Sequence, residues 1–333
     1  MKIALCILNW NGESLLKRFL PSVVEHSPSS DLYLIDNHST DESVSWVNAH
    51  FPAVQIIHLP ENYGYSGGYN KGLKDIKADL YCLMNSDIRV SQGWLIPMVK
   101  AFEAHENLVL AQPLIKQEQN PEFFEYAGAA GGFIDAFGFP YCRGRILNHL
   151  EKDTGQYCDS RSIFWASGAC LWVRSECFWA LGGFDEDFFA HQEEIDLCWR
   201  ARNRGHEVGV VSSSEVFHLG GATLPNSPQK LYLNFRNSLW MLHKNLPSNR
   251  LYPILFLRMV WDGLAGIIYA FKGEFQNLFA VIRAHRDFYR NWGINQDKRN
   301  AQKQFTPDYF HYWFILWAYF VLKRSKFSQL KRD

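Results

Sequence analysis

The sequence predicts an α/β fold with a doubly wound, mostly parallel sheet. Over residues 1–90, apolar runs of strand length alternate with segments of helical periodicity, in the order β-α-β-α-β-α-β. The connections are short, and the fourth run, residues 80–84, is apolar without interruption, as in a strand covered on both faces. Together these observations predict parallel neighbouring strands with helices packed on both sides of the sheet.

The four predicted strands are short apolar runs. They span residues 3–8, 32–35, 54–59 and 80–84. The first run follows a single lysine and is broken by polar residues too early for a signal peptide. We therefore assign it to the sheet.

Three helices are predicted between these strands. Residues 13–26 place apolar side chains at helical spacing, and Ser39–Glu42 matches a capping box that opens a second helix. The loop of residues 62–72, rich in Gly and Tyr, is expected to open a third helix that runs to about Lys77.

Polar side chains follow each of the four predicted strands. They are Asn9 and Asn11 after the first strand, Asp36 after the second, Asn62 after the third, and Asn85 and Asp87 after the fourth. Asn and Asp also favour ordinary turns. Ligands of doubly wound sheets, however, bind beyond the carboxyl ends of the strands. Four consecutive polar ends therefore predict a ligand site at this rim.

The charges of the chain are unevenly divided although their sum is zero. Residues 1–224 contain 17 Lys and Arg against 28 Asp and Glu, whereas residues 225–333 contain 17 against 6. We expect a catalytic domain over 1–224 and a basic, aromatic helical region over 225–333 that binds a surface. Alternatively, the uneven charge distribution reflects chance and ordinary solvent-exposed helix faces. The seven cysteines include no CxxC pair, which favours a reducing compartment.

Residues 113–162 form a predicted insertion in the first domain. Pro, Gly and polar residues are dense there, and the segment has no clear periodicity. Loops of this length are usually functional or disordered. The aromatic side chains favour a packed loop on the acceptor side of the site.

Asp87 comes at a strand end where it is well placed to bind a divalent cation. Such cations take carboxylate ligands and keep positions open for phosphate oxygens, so the cation would neutralise a departing diphosphate. In the 62–72 loop, Gly67 and Gly68 allow close backbone approach beside a helix N-terminus, which attracts anions. The chain has no Walker A sequence and no Gly-rich dinucleotide motif after the first strand, so both of those enzyme classes are disfavoured.

A further helix is predicted from Gln192 to Arg204, with acidic residues in its first turn and arginines at its end. That polarity stabilises a helix through its dipole, so the charges have a structural explanation as a set. One carboxylate, Glu193 or Glu194, would suffice as a general base if it pointed into the cleft. His218 could complete a metal shell, although a lone His after a short strand is more often a core residue.

A series of motifs runs along residues 3–221. They are NWNG, LIDNHSTD, ENYGYSGGYNKGL, MNSD, FWASGACLWVRSE, GGFDEDFFAHQEEIDLCWRARNRG and VFHLGG. In this combination and order the chain resembles the glycosyltransferase family 2 enzymes, in particular their bacterial rhamnosyltransferase-like branch. The resemblance implies the GT-A fold, in which one nucleotide-binding α/β sheet is joined to an acceptor-binding region.

The resemblance also implies roles for individual residues. Asp36 would recognise the base of the nucleotide; Asn9 and Asn11 would lie beside the nucleoside; Asn62, Gly67, Gly68, Asn70 and Asn85 would line the nucleotide-sugar site; and Trp165 and Gly168 would border the sugar and the acceptor. Asp87 and His218 would hold the divalent cation, Mg²⁺ or Mn²⁺. Glu194 would be the catalytic base, with Glu193 as the other candidate.

Two positions depart from the pattern of the family. Asn85 replaces the first acid of the DxD motif, which removes one negative charge beside the metal. The usual Glu-Asp pair is Glu193-Glu194, so the sequence leaves open which of the two acts as the base. The implied mechanism is attack by the acceptor hydroxyl on the face opposite the leaving diphosphate, with inversion and without a covalent intermediate.

The C-terminal region, residues 225–333, is predicted to be helical and amphipathic. Its apolar stretches, 251–273 and 311–324, are interrupted or too short for a clean membrane-spanning helix. Aromatic residues flanked by Lys and Arg favour helices that lie on an anionic membrane surface. A helical bundle buried against the catalytic domain is the alternative. We expect a cytoplasmic enzyme, peripheral on the inner face of the cell membrane.

The sequence therefore predicts an inverting transferase of surface-polysaccharide synthesis. It would move a sugar from a dTDP-, UDP- or GDP-linked donor to a hydroxyl of a glycan or lipid-linked acceptor, with no nucleic acid partner. Two alternatives stay open. A sugar nucleotidyltransferase uses a similar sheet but needs a Gly-rich, basic signature that NWNGE lacks. A non-catalytic glycan- or membrane-binding protein with a degenerate site would turn over no donor.

Overall fold

The computed structural model describes residues 1–220, 227–302, 305–306 and 308–330. The strands of this part are β1 (Ile3–Asn9), β2 (Asp31–Asp36), β3 (Gln55–His58), β4 (Leu80–Asn85), β5 (Ile88–Val90), β6 (Leu108–Gln117), β7 (Gly132–Ile134), β8 (Pro140–Cys142), β9 (Arg145–Ile146), β10 (His149–Leu150), β11 (Arg161–Ser162), β12 (Cys170–Arg174) and β13 (Glu207–His218).

Helices cover the sheet and form most of the C-terminal third. They are α1 (Glu13–His26), α2 (Ser43–His50), α3 (Gly64–Gly72), α4 (Leu95–Ala104), α5 (Ser175–Ala180), α6 (Glu193–Asn203), α7 (Pro228–Asn245), α8 (Ser248–Phe271), α9 (Phe275–Arg290), α10 (Trp292–Asn300) and α11 (Ile315–Phe320), with short 3₁₀ turns at Glu186–Phe188 and Phe327–Gln329.

The main sheet has the strand order β11-β13-β6-β12-β4-β1-β2-β3, with β5 added beside β13. From β3 to β4 all pairs are parallel, and β13 is parallel to β6, but β12 runs antiparallel to both of its neighbours. The predicted α/β fold class is confirmed. The sheet is mixed rather than mostly parallel because the chain returns through β12 after the insertion.

The parallel half of the sheet is buried on both faces, as its apolar strands predict. Alternate residues of β1 enter two different cores: Leu5 and Ile7 pack on one face, Ala4 and Cys6 on the other. The register pairs Asn9 with Asp36 on one side of β1 and Leu8 with Asn85 on the other. The polar strand ends therefore meet at one rim.

Two local predictions in this half are wrong. The third helix is the Gly-rich segment Gly64–Gly72 itself and does not continue to Lys77. Its glycines allow contact with the sheet, since a Cβ at Gly72 would come within 2.6 Å of Ile35. The capping box at Ser39 is not formed, because its hydroxyl accepts hydrogen bonds from Asn9 Nδ2 and from the Asn11 backbone N–H.

The segment 113–162 is packed, as its aromatic side chains predict, but it contains a small sheet where the sequence predicts only a loop. It starts within β6, ends within β11 and contains a four-stranded antiparallel sheet, β7 to β10. Tyr141 and Phe124 are fully buried. The strands have only two or three residues each, so they are too short to show a periodicity in the sequence.

The C-terminal helices pack against the first domain from α7 onward. The boundary predicted at residue 224 lies outside the described residues. Beyond it, Asn237 and Arg236 of α7 donate hydrogen bonds to backbone carbonyls of the 187–191 segment. The first of these helices is therefore attached directly to the segment that leads into α6.

Candidate active site

The rim at the ends of β1 and β2 is a connected set of polar side chains. Asn9 donates to Ser43 Oγ at 2.9 Å and lies 3.5 Å from Asp36 Oδ1. Asn11 has a left-handed backbone, φ 51°, and its side-chain oxygen accepts from the backbone N–H of Thr40 at 2.7 Å. Asp36 is buried and its other oxygen lies 3.6 Å from His58 Nδ1. The structure thus brings together the three residues predicted beside the base and nucleoside.

The residues predicted from the Gly-rich segment pack beneath the polar side chains of the rim. Asn62 Oδ1 accepts from Gly64 N–H and from Asn37 Nδ2, both at 2.9 Å. A Cβ at Gly68 would lie 2.8 Å from Leu8, and one at Gly67 would lie 2.9 Å from Tyr63; these glycines are required by packing. Their contacts shape the wall of the rim.

Asn70 forms hydrogen bonds with the segment that precedes helix α6. Its amide donates to the carbonyl of Phe184 at 2.9 Å and accepts from the Phe184 N–H at 2.9 Å. It also donates to Glu186 at 3.1 Å. These hydrogen bonds attach α3 to the 184–186 segment. They give no indication that the Asn70 amide binds a ligand.

Asp87 and His218, which are 131 positions apart, meet at the end of the sheet. Antiparallel pairing of β13 with β5 places His218 opposite Ile88, the residue after Asp87. His218 Nε2 lies 3.1 Å from Asp87 Oδ1 and 3.5 Å from Asn85 Nδ2. Strand β13, which ends at His218, is twelve residues long. The expectation of a short strand before His218 is therefore wrong.

Glu125 completes this group and was missed by the sequence analysis. Its Oε1 lies 3.3 Å from Nδ1 of His218, on the side of the ring away from Asp87. Burial alone would disfavour the imidazolium, but the negative charges of Glu125 and Asp87 raise the pKa of His218 to about 10. The only signal in the sequence is a lone acid among the aromatic and small residues of FFEYAGAA.

The residues at this point fit a divalent cation that also takes ligands from a substrate. Among the described residues no group of three or more His, Cys, Asp or Glu side chains is arranged to hold a metal by itself. Asp87, however, is 1% exposed, and its Oδ1 lies 3.1 Å from His218 Nε2, while its Oδ2 has no hydrogen-bond partner in the described part of the chain. Without a metal, the charge on protonated His218 balances this buried carboxylate; a divalent cation would take that place by displacing the imidazole proton. One carboxylate and one imidazole leave room for phosphate oxygens.

The two candidate bases open helix α6 and differ in their surroundings. Three of the four residues before it, Phe189, His191 and Gln192, have left-handed backbones at φ 63°, 72° and 73°. Glu194 then lines the large cavity, whereas Glu193 is 4% exposed and does not line it. The geometry therefore favours Glu194 as the group that reaches a substrate.

Burial sets the protonation of both acids. It raises the pKa of Glu194 to about 7, although backbone N–H groups of the helix start oppose the shift. For Glu193, burial and then the charge of Glu194 raise the pKa well above its usual range. A carboxylate with a pKa near 7 is matched to general-base work at neutral pH.

Helix α7 is hydrogen-bonded to the 188–191 turn, which orients Glu194 at the start of α6. The amide of Asn237 is fully buried and donates to the carbonyls of Phe188, Ala190 and His191 at 3.0, 2.8 and 2.8 Å. Backbones in the left-handed region cost free energy in residues other than Gly and persist only where neighbours hold them. The C-terminal region thus contributes to the geometry of the base.

The remaining charges of α6 are structural, as the alternative explanation proposed. Asp196 pairs with Arg200 at 2.8 Å and with Lys244 of α7 at 2.9 Å. Lys244 also contacts Asp185 at 2.6 Å, and Lys298 of α10 contacts the same carboxylate. This buried network attaches α6 to two C-terminal helices.

A cavity of about 1530 Å³ connects these parts. Glu125, Glu194, His218 and Trp165 all line it. Trp165 is held by a hydrogen bond from its indole N–H to the carbonyl of Phe133 at 3.0 Å. Gly168 lies behind Glu194: a Cβ there would be 3.7 Å from the Cβ of Glu194. The predicted base, metal ligand and sugar-side tryptophan therefore share one space.

Comparison with known proteins agrees with this geometry. The family model for glycosyl transferase family 2 matches residues 4–182, which is more than half of the chain. The chain belongs to glycosyl transferase family 2. The predicted resemblance is thereby confirmed at the level of the family, and the protein is a glycosyltransferase.

Two relatives of this family 2 enzyme act in glycan synthesis according to their names. The low-salt glycan biosynthesis hexosyltransferase Agl10 of Haloferax volcanii is 22% identical over 71% of this chain and 73% of its own length. The N-acetylglucosaminyl-diphospho-decaprenol L-rhamnosyltransferase of Mycobacterium tuberculosis is 26% identical over 61% of this chain and 71% of its own.

The fold of this family 2 enzyme is also found in a solved glycosyltransferase. GalNAc-T7, crystallised with UDP, GalNAc and Mn²⁺, superposes with a TM-score of 0.57 at 16% identity over 74% of this chain and 48% of that one. The chain spans about half the length of that structure. At this identity the likeness shows the shared GT-A fold.

Proposed function

We propose that this family 2 enzyme is a metal-dependent, inverting glycosyltransferase. It would transfer a sugar from a dTDP-, UDP- or GDP-linked donor to a hydroxyl of a glycan or lipid-linked acceptor in surface-polysaccharide synthesis. One observation carries the proposal: Glu194 and His218 line one cavity, and Asp87 lies 3.1 Å from His218.

The residues divide the work of the reaction. Asp36, Asn9 and Asn11 would hold the base and ribose at the rim, with Asn62, Gly67, Gly68, Asn70 and Asn85 shaping its wall. Asp87 and His218 would hold a divalent cation, Mg²⁺ or Mn²⁺, which would neutralise the leaving diphosphate when bound. The crystallisation of GalNAc-T7 with UDP and Mn²⁺ supports this assignment.

Glu194 would take the proton from the acceptor hydroxyl as that oxygen attacks the anomeric carbon. The attack comes from the face opposite the leaving group, so the configuration inverts. Trp165 and Gly168 would border the sugar and the acceptor. Because the hydroxyl itself is the nucleophile, no covalent sugar-enzyme intermediate is required.

A panel of dTDP-, UDP- and GDP-linked sugars tests this function. Incubation of the purified protein with Mn²⁺ or Mg²⁺ is expected to release nucleoside diphosphate from one donor, because glycosyltransferases slowly transfer sugar to water. A matched incubation with EDTA should suppress the release. If no donor is bound or hydrolysed in any of these conditions, a non-catalytic binding protein becomes the better explanation.

We further propose that the C-terminal helices hold the enzyme on an anionic membrane surface, at the inner face of the cell membrane. Helix α8 buries two charged side chains, Arg258 and Asp262, and exposes many of its apolar ones. Arg258 and Asp262, 5% and 1% exposed, pair with each other at 3.0 Å against the domain. Phe256 and Phe271, in contrast, are 67% and 89% exposed. Such a face is unfavourable in water and suits a lipid environment.

Neighbouring helices extend the same apolar surface. Helix α9 packs on α8 and exposes Phe275 and Phe279. The ring of Trp261 in α8 lies 5.1 Å from the ring of Phe314, which directly precedes α11. Helix α11 in turn exposes Trp317. Of the described helices, α8 is long and apolar enough to cross a membrane, judged by length and composition alone. Arg258 and Asp262, the charges that interrupt the apolar stretch 251–273, do not prevent α8 from meeting that measure.

Vesicle binding tests the membrane proposal. Vesicles containing phosphatidylglycerol are expected to bind the protein in a flotation assay, and binding should weaken as salt rises because exposed Lys and Arg contribute. The double variant Phe256→Ser, Phe271→Ser should bind at least about tenfold more weakly. Ile96→Ser, which changes a 59% exposed side chain on α4, is the matched control. Equal binding of both variants would contradict the proposal.

A further inference from the structure

One cation in the wall of the cavity forms no direct ion pair with the described part of the chain. Arg145, on β9, lines the cavity and is 5% exposed. No carboxylate of the described residues forms an ion pair with it, whereas Arg258 in the same wall pairs with Asp262. The charge of Glu125 acts on Arg145 at longer range, but no carboxylate of the described residues contacts the guanidinium, which can therefore pair directly with an anion from a substrate.

The hydrogen bonds of Arg145 leave most N–H groups of its guanidinium free to bind an anion. One terminal nitrogen donates to the carbonyl of Leu147 at 3.3 Å, and the other makes a weak contact with Cys142 Sγ at 3.6 Å. The Nε–H donates to no acceptor in the described part of the chain. The guanidinium carries five N–H groups in a planar fork, so most of them have no good acceptor.

Aromatic stacking holds this guanidinium in place. Its carbon lies 4.2 Å from the centroid of the Tyr126 ring, and Tyr126 also lines the cavity. A planar guanidinium fixed on a ring keeps its donors oriented at little entropic cost. Tyr126 follows Glu125, the residue that contacts His218. The fork is therefore held by the residue that follows Glu125, and the charge of Glu125 acts on it.

We propose that Arg145 and Tyr126 form an anion subsite that binds a phosphate group of the acceptor substrate. The inference rests on the proposed transferase function and names the substrate class of its acceptor. A guanidinium fork matches two phosphate oxygens at once. None of the rim residues predicted beside the nucleoside, Asn9, Asn11 and Asp36, lines this cavity. The absence of these residues favours the acceptor side; because His218 lines the same cavity, the diphosphate of the donor is the other source of the same chemistry.

Inorganic diphosphate is the probe that tests the subsite without turnover. Titration calorimetry with EDTA-treated protein is expected to detect diphosphate binding, and Arg145→Gln should weaken it at least about tenfold because the charge and the fork are lost. Arg145→Lys keeps the charge without the fork and should lose less. Unchanged affinity in Arg145→Gln would overturn the proposal.

Arg143→Gln is the matched control. Arg143 lies two positions earlier, is also buried, but pairs with Asp159 and does not line the cavity. It should bind diphosphate like the wild type. Thermal unfolding of each variant verifies folding, and Tyr126→Leu provides a second route to the subsite if Arg145→Gln does not fold.

A parallel titration with UDP and Mn²⁺ separates the two sources of phosphate. Unchanged UDP affinity in Arg145→Gln supports an acceptor phosphate, whereas a loss equal to that for diphosphate overturns the acceptor assignment in favour of the donor. Donor hydrolysis by the wild type is measured independently. If hydrolysis is present while Arg145→Gln binds diphosphate normally, the subsite fails and the transferase function stands.

Discussion

Replacing Asp87 by alanine is expected to abolish metal-supported donor binding and to lower sugar transfer by at least about 10³-fold. The carboxylate is buried, its Oδ1 lies 3.1 Å from His218 Nε2, and its Oδ2 has no hydrogen-bond partner among the described residues. A cation at such a site contributes several kcal/mol to a transition state that carries diphosphate charge, and each 1.36 kcal/mol is about tenfold in rate. Initial rates and calorimetric titration with Mn²⁺ and the donor measure both effects.

Two further variants make the Asp87 result specific. His218→Ala should raise the Mn²⁺ concentration needed for half-maximal activity, because one ligand is lost while the carboxylate remains. Asp75→Ala removes an exposed carboxylate from the turn before β4 and should leave activity unchanged. Full activity of Asp87→Ala in the presence of EDTA would remove the metal from the mechanism.

Replacing Glu194 by alanine or glutamine is expected to lower kcat by about 10² to 10⁴-fold while donor affinity is preserved. The side chain lines the cavity at the start of α6 and is the carboxylate there that a substrate hydroxyl can reach. The proposed donor site is the rim and the metal pair, which this change does not touch. Single-turnover rates and donor titration separate the two quantities.

Glu193→Gln is the matched control for this prediction. It changes the adjacent carboxylate, which is buried and does not line the cavity. We expect it to keep most of the activity once its folding has been verified. Near-complete loss in Glu193→Gln, together with retained turnover in Glu194→Gln, would reassign the base.

The pH profile follows from the environment of Glu194. Burial raises the pKa of this carboxyl to about 7, so the acid form predominates below that pH and cannot accept a proton. The value of kcat at saturating donor is expected to rise about tenfold per pH unit below 7 and to level off above it. Glu194→Gln should lose this rise. A profile that falls with pH across the same range would contradict a carboxylate base.

Much of the candidate site was visible in the sequence because its residues come at strand ends. Asn9, Asp36 and Asp87 are each polar residues that interrupt or follow an apolar run, and parallel pairing carries such ends to one rim. The helix start at Glu193 was visible for a similar reason, since acids cluster in its first turn. These signals are local in the chain, so pattern and spacing are enough to find them.

Other features depend on contacts between distant segments. Glu125 meets His218 across 93 positions, and Arg145 lacks a direct ion pair among the described residues only because of what folds around it. Asn237 reaches back to the turn before Glu194 through the packing of α7. None of these residues stands in a motif that its neighbours in sequence reveal.

The sequence by itself determined the family, the α/β class and the rim of polar strand ends, because hydrophobic periodicity and strand-end chemistry are written in consecutive residues. Tertiary structure alone decided that Glu194 and not Glu193 faces the cavity, that the 113–162 segment contains a small sheet, and that α8 turns two of its charges inward. Those outcomes follow from which surfaces bury each other, and burial is a property of the whole chain.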